Sequence, residues 1–125
     1  AAADLNSLQG ILAEGISMGA PPYWDKLHGR PIVHHLLGLI INTIEYFTYH
    51  REWHDDSRNS GEIALEFHGH VGEHNLQGID LISLNKDGLI QNLDVLIRPM
   101  NSLEALRDVV APQMMEYLKN NQGQP

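Results

Sequence analysis

The carboxyl group of Asp80 is the side chain in this sequence best suited to proton chemistry. It interrupts an apolar run, with Ile79 before it and Leu81 and Ile82 after it. A carboxyl group in apolar surroundings resists ionisation, so its pKa rises towards neutrality and it can donate or accept a proton there. The sequence therefore predicts Asp80 as a proton-transferring residue. The competing interpretation is a carboxylate that faces solvent or is held by structural hydrogen bonds.

Glu66 and His68 are two further candidates for acid–base chemistry, because they share one face of the strand before Asp80. A two-residue turn at Gly72-Glu73 would pair Leu65 with Asp80, whereas a three-residue turn would place Glu66 opposite Asp80 and turn His68 towards the pocket. If either side chain met Asp80, the two groups would push each other's pKa values apart and could serve as acid and base. A polar outer face of the sheet, for example at a dimer interface, is the competing interpretation.

Aromatic side chains supply candidates for ligand binding. Five of them could line the mouth of a pocket and stack on a flat or cyclic molecule: Tyr23, Trp24, Tyr46, Tyr49 and Trp53. Packing in the core is the competing interpretation, above all for Trp53. Trp24 follows two prolines and precedes Asp25 and Lys26, which makes it the least core-like of the five.

The histidines raise one alternative, a metal-dependent enzyme of the cupin type. His68 and His70 stand two apart, and Glu73 follows them. In cupins, two such histidines and a later glutamate converge on one metal ion. The spacings to the neighbouring glycines do not fit that motif, and no second motif is present. We therefore expect neither a metal nor an organic cofactor, and we keep the cupin interpretation as the weaker alternative.

Composition limits the partners that this protein can have. The chain has 125 residues, 42% of them hydrophobic, which suffices for one core and one domain. The formal net charge of -8 argues against binding nucleic acid or an anionic membrane, since both attract basic surfaces. There is no cysteine, which fits a reducing compartment, and there is no long apolar run or basic leader. We expect a cytoplasmic protein that binds a hydrophobic small molecule.

Helical patterns occur in three places. Leu5, Leu8, Ile11 and Leu12 predict a short first helix that ends near Gly15, and residues 16–23 after it should form a brief strand or an extended arm. A second helix should begin at Pro31 and run to about Ile44, and it is apolar around most of its circumference. Asn101 and Glu104 have the spacing of a capping box for a C-terminal helix. We place the domain at residues 1–118 and a flexible tail at residues 119–125.

The segment between the last two helices has the alternating pattern of β-strands. From Phe47, aromatic residues alternate with polar ones, so Phe47, Tyr49, Arg51 and Trp53 should share one face. Three further strands follow, separated by a tight turn at Gly72-Glu73 and a turn at residues 85–88. This order predicts an α+β fold with an antiparallel meander, because an alternating βαβ order is absent.

Four short sequence pieces resemble the SnoaL-like polyketide-cyclase branch of the nuclear-transport-factor-2-like superfamily, and also the second half of ketosteroid isomerase. They occur in matching order and spacing, and they are Ala64-Leu65-Glu66-Phe67, Gln77-Gly78-Ile79-Asp80-Leu81, Asn85-Lys86-Asp87-Gly88 and Ile97-Arg98-Pro99. The resemblance extends over about residues 23–106. It implies a cone-shaped fold in which a strongly curved antiparallel sheet wraps around helices and encloses an apolar pocket.

The resemblance also implies roles for particular positions. Related isomerases and cyclases place a buried carboxyl group where this chain has Asp80. The isomerase's base lies on the arm before the long helix, where this chain offers Gly19, Ala20 and Pro21. The helix that carries the isomerase's tyrosine is shortened here. Steroid isomerisation by the familiar set of residues is therefore not expected.

The sequence as a whole predicts a cofactor-independent enzyme that uses a buried carboxyl group to move protons on a hydrophobic or cyclic substrate, as an isomerase, cyclase or hydrolase does. The alternative is a ligand-binding or dimerisation domain of the same fold without catalysis, because one fold hosts many functions. A homodimer through the outer face of the sheet is also expected.

Overall fold

The computed structural model describes residues 9–55 and 61–121. Residues 9–11 are helical, and two longer helices and six strands follow them. The strands are β1 (Leu12–Gly19), β2 (Leu27–His28), β3 (Glu45–Asp55), β4 (Glu62–Val71), β5 (His74–Leu84) and β6 (Ile90–Arg98), and the helices are α1 (Arg30–Thr43) and α2 (Met100–Asn120). The strands form one open, strongly curved sheet in the order β2-β1-β6-β5-β4-β3. The predicted α+β fold is thus confirmed.

The β1 strand departs from the prediction. Residues 9–11 are helical as predicted, but Leu12 and Gly15 lie inside this strand and not at the end of a first helix. The earlier part of the predicted helix, residues 4–8, lies outside the described residues. β1 pairs parallel with β6 and antiparallel with β2, so it adds one parallel pair to the antiparallel meander. Its residues Leu12, Ile16 and Met18 are almost completely buried, and that burial overrides the helical spacing.

Both helices cover the same face of the sheet, which we call the inner face. α1 begins with Pro31 in its first turn and buries Val33, Leu36 and Ile40, as its apolar pattern predicts. α2 buries Leu106 and Val110 against the same core. From the sheet, the core receives Phe67, Leu76, Ile82, Leu93 and Val95. The opposite, uncovered side of the strands is called the outer face.

The start and middle of α2 differ from the sequence-based expectation. Asn101 lies inside the helix, Pro99 is the capping residue, and no side-chain hydrogen bond caps the helix. The predicted capping box is therefore wrong. Pro112 lies within α2 and the helix continues past it to Asn120.

Two irregularities in β3 decide which side chains reach each face. Tyr49 pairs with Phe67 and Glu52 with Leu65, so three steps along β3 match two steps along β4. Such a bulge reverses the alternation of side chains beyond it. As a result Tyr49 points to the inner face, whereas Trp53, which pairs with Ala64, points to the outer face. Arg51 and Trp53 share the outer face, so the predicted common face is wrong for Tyr49 for this reason.

Candidate active site

The hairpin between β4 and β5 has the two-residue turn. Val71 pairs with His74 across Gly72-Glu73, and Gly72 takes a φ of +58°, which glycine adopts without strain. The same register pairs Leu65 with Asp80. Directly paired residues share a face, so Asp80 lies on the inner face.

Asp80 is half-buried in apolar surroundings. Its paired neighbours are Leu65 on β4 and Val95 on β6. Burial raises the pKa of Asp80 to about 6, and a hydrogen bond from Tyr49 opposes part of that rise. The apolar surroundings predicted from the sequence are thus present in the fold. A carboxyl group with this pKa is mostly ionised at pH 7 and can take up a proton with little cost.

The side chain that contacts Asp80 comes from β3. The Tyr49 hydroxyl donates to Oδ2 of Asp80 over 3.2 Å. Desolvation raises the pKa of Tyr49 well above its ordinary value, and the nearby Asp80 carboxylate raises it further, although the residue is 53% exposed. Tyr49 therefore keeps its proton near neutrality and acts as a hydrogen-bond donor. The sequence suggested a stacking residue, but Tyr49 lies at the carboxyl group.

Gly78 has no side chain and so leaves space for a neighbouring aromatic ring on the inner face of β5. It pairs with Phe67, and a Cβ atom at Gly78 would lie 2.2 Å from Cζ of Phe67 and 2.8 Å from the carbonyl oxygen of Leu96. Only glycine lets the Phe67 ring lie over β5 in this way. The ring in turn stacks on Phe47 at a centroid distance of 4.9 Å. Both rings also contact Tyr49, so an aromatic layer borders the hydroxyl-bearing ring that binds Asp80.

Glu66 and His68 lie on the outer face, away from Asp80. Glu66 pairs with Ile79 and His68 with Gln77, which are the positions whose side chains point away from the core. The conditional prediction that one of them meets Asp80 as an acid–base partner is therefore corrected by the register. The two-residue turn is the physical reason, because it fixes the alternation along the whole hairpin.

Glu66 is held as an anion by three donors. Arg51 and Gln77 donate to its carboxylate, and Nε2 of His68 lies 2.7 Å from Oε2. The hydrogen bonds from Arg51, then His68 and Gln77, lower the pKa of Glu66 to about 2. The residue is only 3% exposed, whereas the side chain of Arg51 is 67% exposed. A carboxylate so held anchors β3 to β4 and β5 and is poorly suited to carry a proton.

The four other aromatic candidates lie apart from Tyr49, and Tyr46 is 84% exposed and stacks on His70. Trp53 lies on the outer face, and the guanidinium of Arg51 is 5.1 Å from its ring centre. Trp24 is 93% exposed on the arm between β1 and β2. Tyr23, on the same arm, lines an apolar cavity. The structure therefore associates Tyr49 with Asp80, Tyr23 with a cavity, and neither Trp53 nor Trp24 with the inner face.

The apolar cavity lies between the two helices and the arm. It has a volume of about 290 Å³. Leu36 and Ile40 of α1, Leu106 and Val110 of α2, and Ile97 of β6 contribute to its walls. Arg107 and Asp25 supply its charged groups. A hydrophobic molecule of modest size fits such a lining.

Asp80 is close to this cavity but is not one of its lining residues. Ile97 pairs with Gly78, which is two residues from Asp80 on the same face. Along β5, the backbone of Asp80 is therefore about 7 Å from that of Gly78, the residue that pairs with the wall residue Ile97. The sequence predicts no ligand-binding role for the α2 residues in this lining, although their helical spacing is visible in it.

Potential metal ligands do not cluster within residues 9–55 and 61–121. No group of three or more histidine, aspartate or glutamate side chains there could hold a metal ion. His68, His70 and Glu73, the residues of the cupin interpretation, form no such group. In the same ranges, no helix has the length and apolar character needed to span a membrane.

Solved structures with this fold are numerous. An uncharacterised protein with a cystatin-like fold from Silicibacter pomeroyi DSS-3 is 34% identical, with a TM-score of 0.85, over 93% of this chain and 82% of that chain. A steroid delta-isomerase from Pseudomonas aeruginosa is 32% identical, with a TM-score of 0.84, over 93% of this chain and 83% of that chain. The chain belongs to the nuclear-transport-factor-2-like superfamily. Within that superfamily it falls in the SnoaL-like and ketosteroid-isomerase-like branch.

More distant members of the nuclear-transport-factor-2-like superfamily share the fold alone. One from Cytophaga hutchinsonii ATCC 33406 is 16% identical, with a TM-score of 0.59, over 78% of this chain and 79% of that chain. No protein-family model matches the chain, and no curated protein sequence matches it either. The resemblance identified from four short sequence pieces is thus confirmed by structural similarity.

Proposed function

We propose that this protein is a cofactor-independent enzyme in which Asp80 moves a proton on a hydrophobic or cyclic substrate. The observation that carries the proposal is the half-buried carboxyl group of Asp80 on the helix-covered face, with its pKa raised to about 6. Burial weakens the hydration of the carboxylate, so its affinity for a proton is higher than that of a surface aspartate. A base of this strength suits proton removal near neutral pH.

The substrate class follows from the apolar cavity near Asp80. Its walls are mainly aliphatic, and Tyr23 adds an aromatic ring at the arm. A cyclic hydrocarbon skeleton with one polar group matches such walls, because apolar burial supplies affinity and the polar group supplies orientation. One of the similar structures is named a steroid delta-isomerase, and a steroid is a molecule of this kind. Gly19, Ala20 and Pro21 provide no carboxyl group on the arm, so Asp80 is the base in this proposal.

The proposed reaction needs only one proton and one carboxyl group. Ionised Asp80 removes a proton from a carbon next to a carbonyl group, and the electron pair of that C–H bond passes into an enolate. The protonated Asp80 then returns the proton to another carbon of the conjugated system. The double bond shifts, and the carboxylate is regenerated. Positioned general acid–base catalysis of this type contributes roughly 10²–10⁴-fold.

Hydrogen exchange tests this proposal without knowledge of the natural substrate. Cyclic ketones of increasing size, including a β,γ-unsaturated 3-ketosteroid, would be incubated with the protein in D₂O. We expect deuterium to enter the α-carbon of at least one ketone, or a shifted double bond, faster than in buffer. Tight binding of the same ketones without exchange or isomerisation would overturn catalysis.

That outcome would support the second candidate function, a ligand-binding domain. One observation favours it: Asp80 is not among the residues that line the apolar cavity. A molecule confined to that cavity would be held by Leu36, Ile40 and Val110 without contacting the carboxyl group. Mass spectrometry of the purified protein under native conditions would identify such a co-purified molecule.

We also propose a homodimer formed through the outer face. Large apolar side chains lie exposed there, with Leu96 55% exposed, Leu81 43% and Trp53 45%. Exposed apolar side chains grouped on one sheet face are typical of protein interfaces. A second copy of the same face is the simplest partner, since two-fold symmetric contacts are self-complementary.

The dimer prediction can be measured by sedimentation. At high micromolar concentration the protein should sediment with twice the 14.0 kDa mass of the chain. Leu96→Lys places a charge in the proposed interface and should yield monomers. Val109→Lys is the matched control, because Val109 is 42% exposed on α2, away from the outer face. A monomeric wild-type protein would contradict the prediction.

A further inference from the structure

We infer that Tyr49 is a positioning residue for Asp80. Its hydroxyl group binds one oxygen of the Asp80 carboxyl group and leaves the other oxygen to meet the substrate. The Tyr49 hydroxyl contacts Oδ2 of Asp80 at 3.2 Å. This hydrogen bond is the side-chain contact that lowers the pKa of Asp80 against the effect of burial. The inference rests on the proposed function, and it assigns the reacting oxygen, Oδ1.

The contact crosses a strand. Tyr49 is on β3 and Asp80 on β5, with β4 between them in the sheet. Strands two positions apart are separated by about 10 Å, so only a long side chain can bring a hydroxyl group to the carboxyl group. Tyr49 pairs with Phe67 and Asp80 with Leu65, so the two side chains approach diagonally across the inner face of β4.

Packing fixes the direction of the Tyr49 ring. Phe47 contacts it edge-on at a centroid distance of 5.0 Å, and Phe67 does so at 6.5 Å. The bulge that follows Tyr49 in β3 sends Arg51 to the outer face, where it binds Glu66. The outer cluster around Glu66 therefore anchors β3 and indirectly supports the Tyr49 contact. Rigid support of this kind is what a positioned catalytic group requires.

The protonation states of the pair suit the assignment. Tyr49 stays protonated near neutrality, because desolvation and the Asp80 carboxylate raise the pKa of its hydroxyl. It therefore donates its hydrogen bond without giving up its proton. The residues paired with Asp80, Leu65 and Val95, are apolar, so Tyr49 is the polar side chain that distinguishes the two carboxyl oxygens. The substrate proton then passes to Oδ1 and returns from it, and Oδ2 stays bound to Tyr49 throughout.

Tyr49→Phe tests the inference because it removes only the hydroxyl group. A hydrogen bond to a carboxylate favours its ionised form, so losing it should move the titration midpoint of Asp80 to higher pH by about one pH unit. The ¹³C signal of the Asp80 carboxyl carbon reports that midpoint in NMR. Tyr46→Phe is the matched control, because Tyr46 is 84% exposed and stacks on His70. The midpoint in that variant should equal the wild-type value.

Failure of this inference is distinguishable from failure of the proposed function. The NMR midpoint needs no turnover, so a higher midpoint in Tyr49→Phe supports the hydrogen-bonded pair whether or not the protein is an enzyme. An unchanged or lower midpoint in a folded Tyr49→Phe variant would overturn the inference, even if Asp80 proved catalytic. Where turnover is measurable, the acidic limb of the kcat/KM profile should move with the midpoint, and an unmoved limb would also overturn it.

Discussion

Replacing Asp80 with asparagine should lower turnover by about a hundredfold or more, because the amide keeps the shape of the side chain but cannot take up a proton near neutral pH. Tyr49 can still donate its hydrogen bond to the oxygen of the introduced amide, so the inner face should stay ordered. Substrate affinity should change little, since the apolar cavity walls are untouched. The measurement is kcat and KM for a ketone identified by the exchange assay.

Asp94→Asn is the matched control for that experiment. Asp94 is an outer-face carboxylate that pairs with Lys26 at 3.1 Å, and it has the same size and charge as Asp80. Its replacement should leave turnover within about twofold, since exposed ion pairs contribute little. Wild-type turnover in Asp80→Asn would contradict the catalytic assignment.

The pH dependence of stability should also change in Asp80→Asn. The folded pKa of Asp80 is about 6, above its ordinary value of 3.8, so the folded state binds the proton more tightly than the unfolded state does. The resulting stabilisation is complete below about pH 4 and is lost as pH rises through about 6. The difference between the two pKa values corresponds to a stability contribution of at most about 3 kcal/mol. Partial solvent access to the half-buried carboxyl group reduces this figure.

The difference between the two unfolding curves isolates this effect. Urea denaturation of wild-type protein and Asp80→Asn between pH 4.5 and 7.5 should show the variant gaining stability relative to wild type as pH rises. The other titrating groups cancel in the comparison. Glu66, whose pKa is lowered to about 2, loses its stabilising contribution only at lower pH, outside this window. A constant difference across the window would mean that the pKa of Asp80 is not raised by folding.

Much of the fold could be predicted from the sequence because its signals are local. Pro31 and the apolar residues after it predict α1, and the two-residue spacing predicts β4 to β6. β1 was misassigned in part because its burial by α1 and β6 is a tertiary effect. The helical spacing of Leu12 with earlier residues carries no information about its packing against α1 or the pairing of its strand with β6.

The candidate site was only partly visible in the sequence. Asp80 was evident from its apolar neighbours, but its partner depended on one residue of register at Gly72-Glu73 and on the bulge after Tyr49. Alternation alone places Tyr49 and Trp53 on the same face, and the bulge separates them. A bulge leaves no mark in the sequence that the periodicity can detect. The Tyr49 to Asp80 contact therefore required the structure.

The proposed catalysis depends on folding raising the pKa of Asp80, so that the carboxyl group can take up and release a proton near neutral pH. The most direct measurement is the ¹³C chemical shift of the Asp80 carboxyl carbon, followed by NMR from pH 3 to pH 9 and assigned with Asp80→Asn. We expect a titration midpoint of about 6 in the free protein. A midpoint at or below the ordinary value of 3.8 would contradict it and would favour the ligand-binding function.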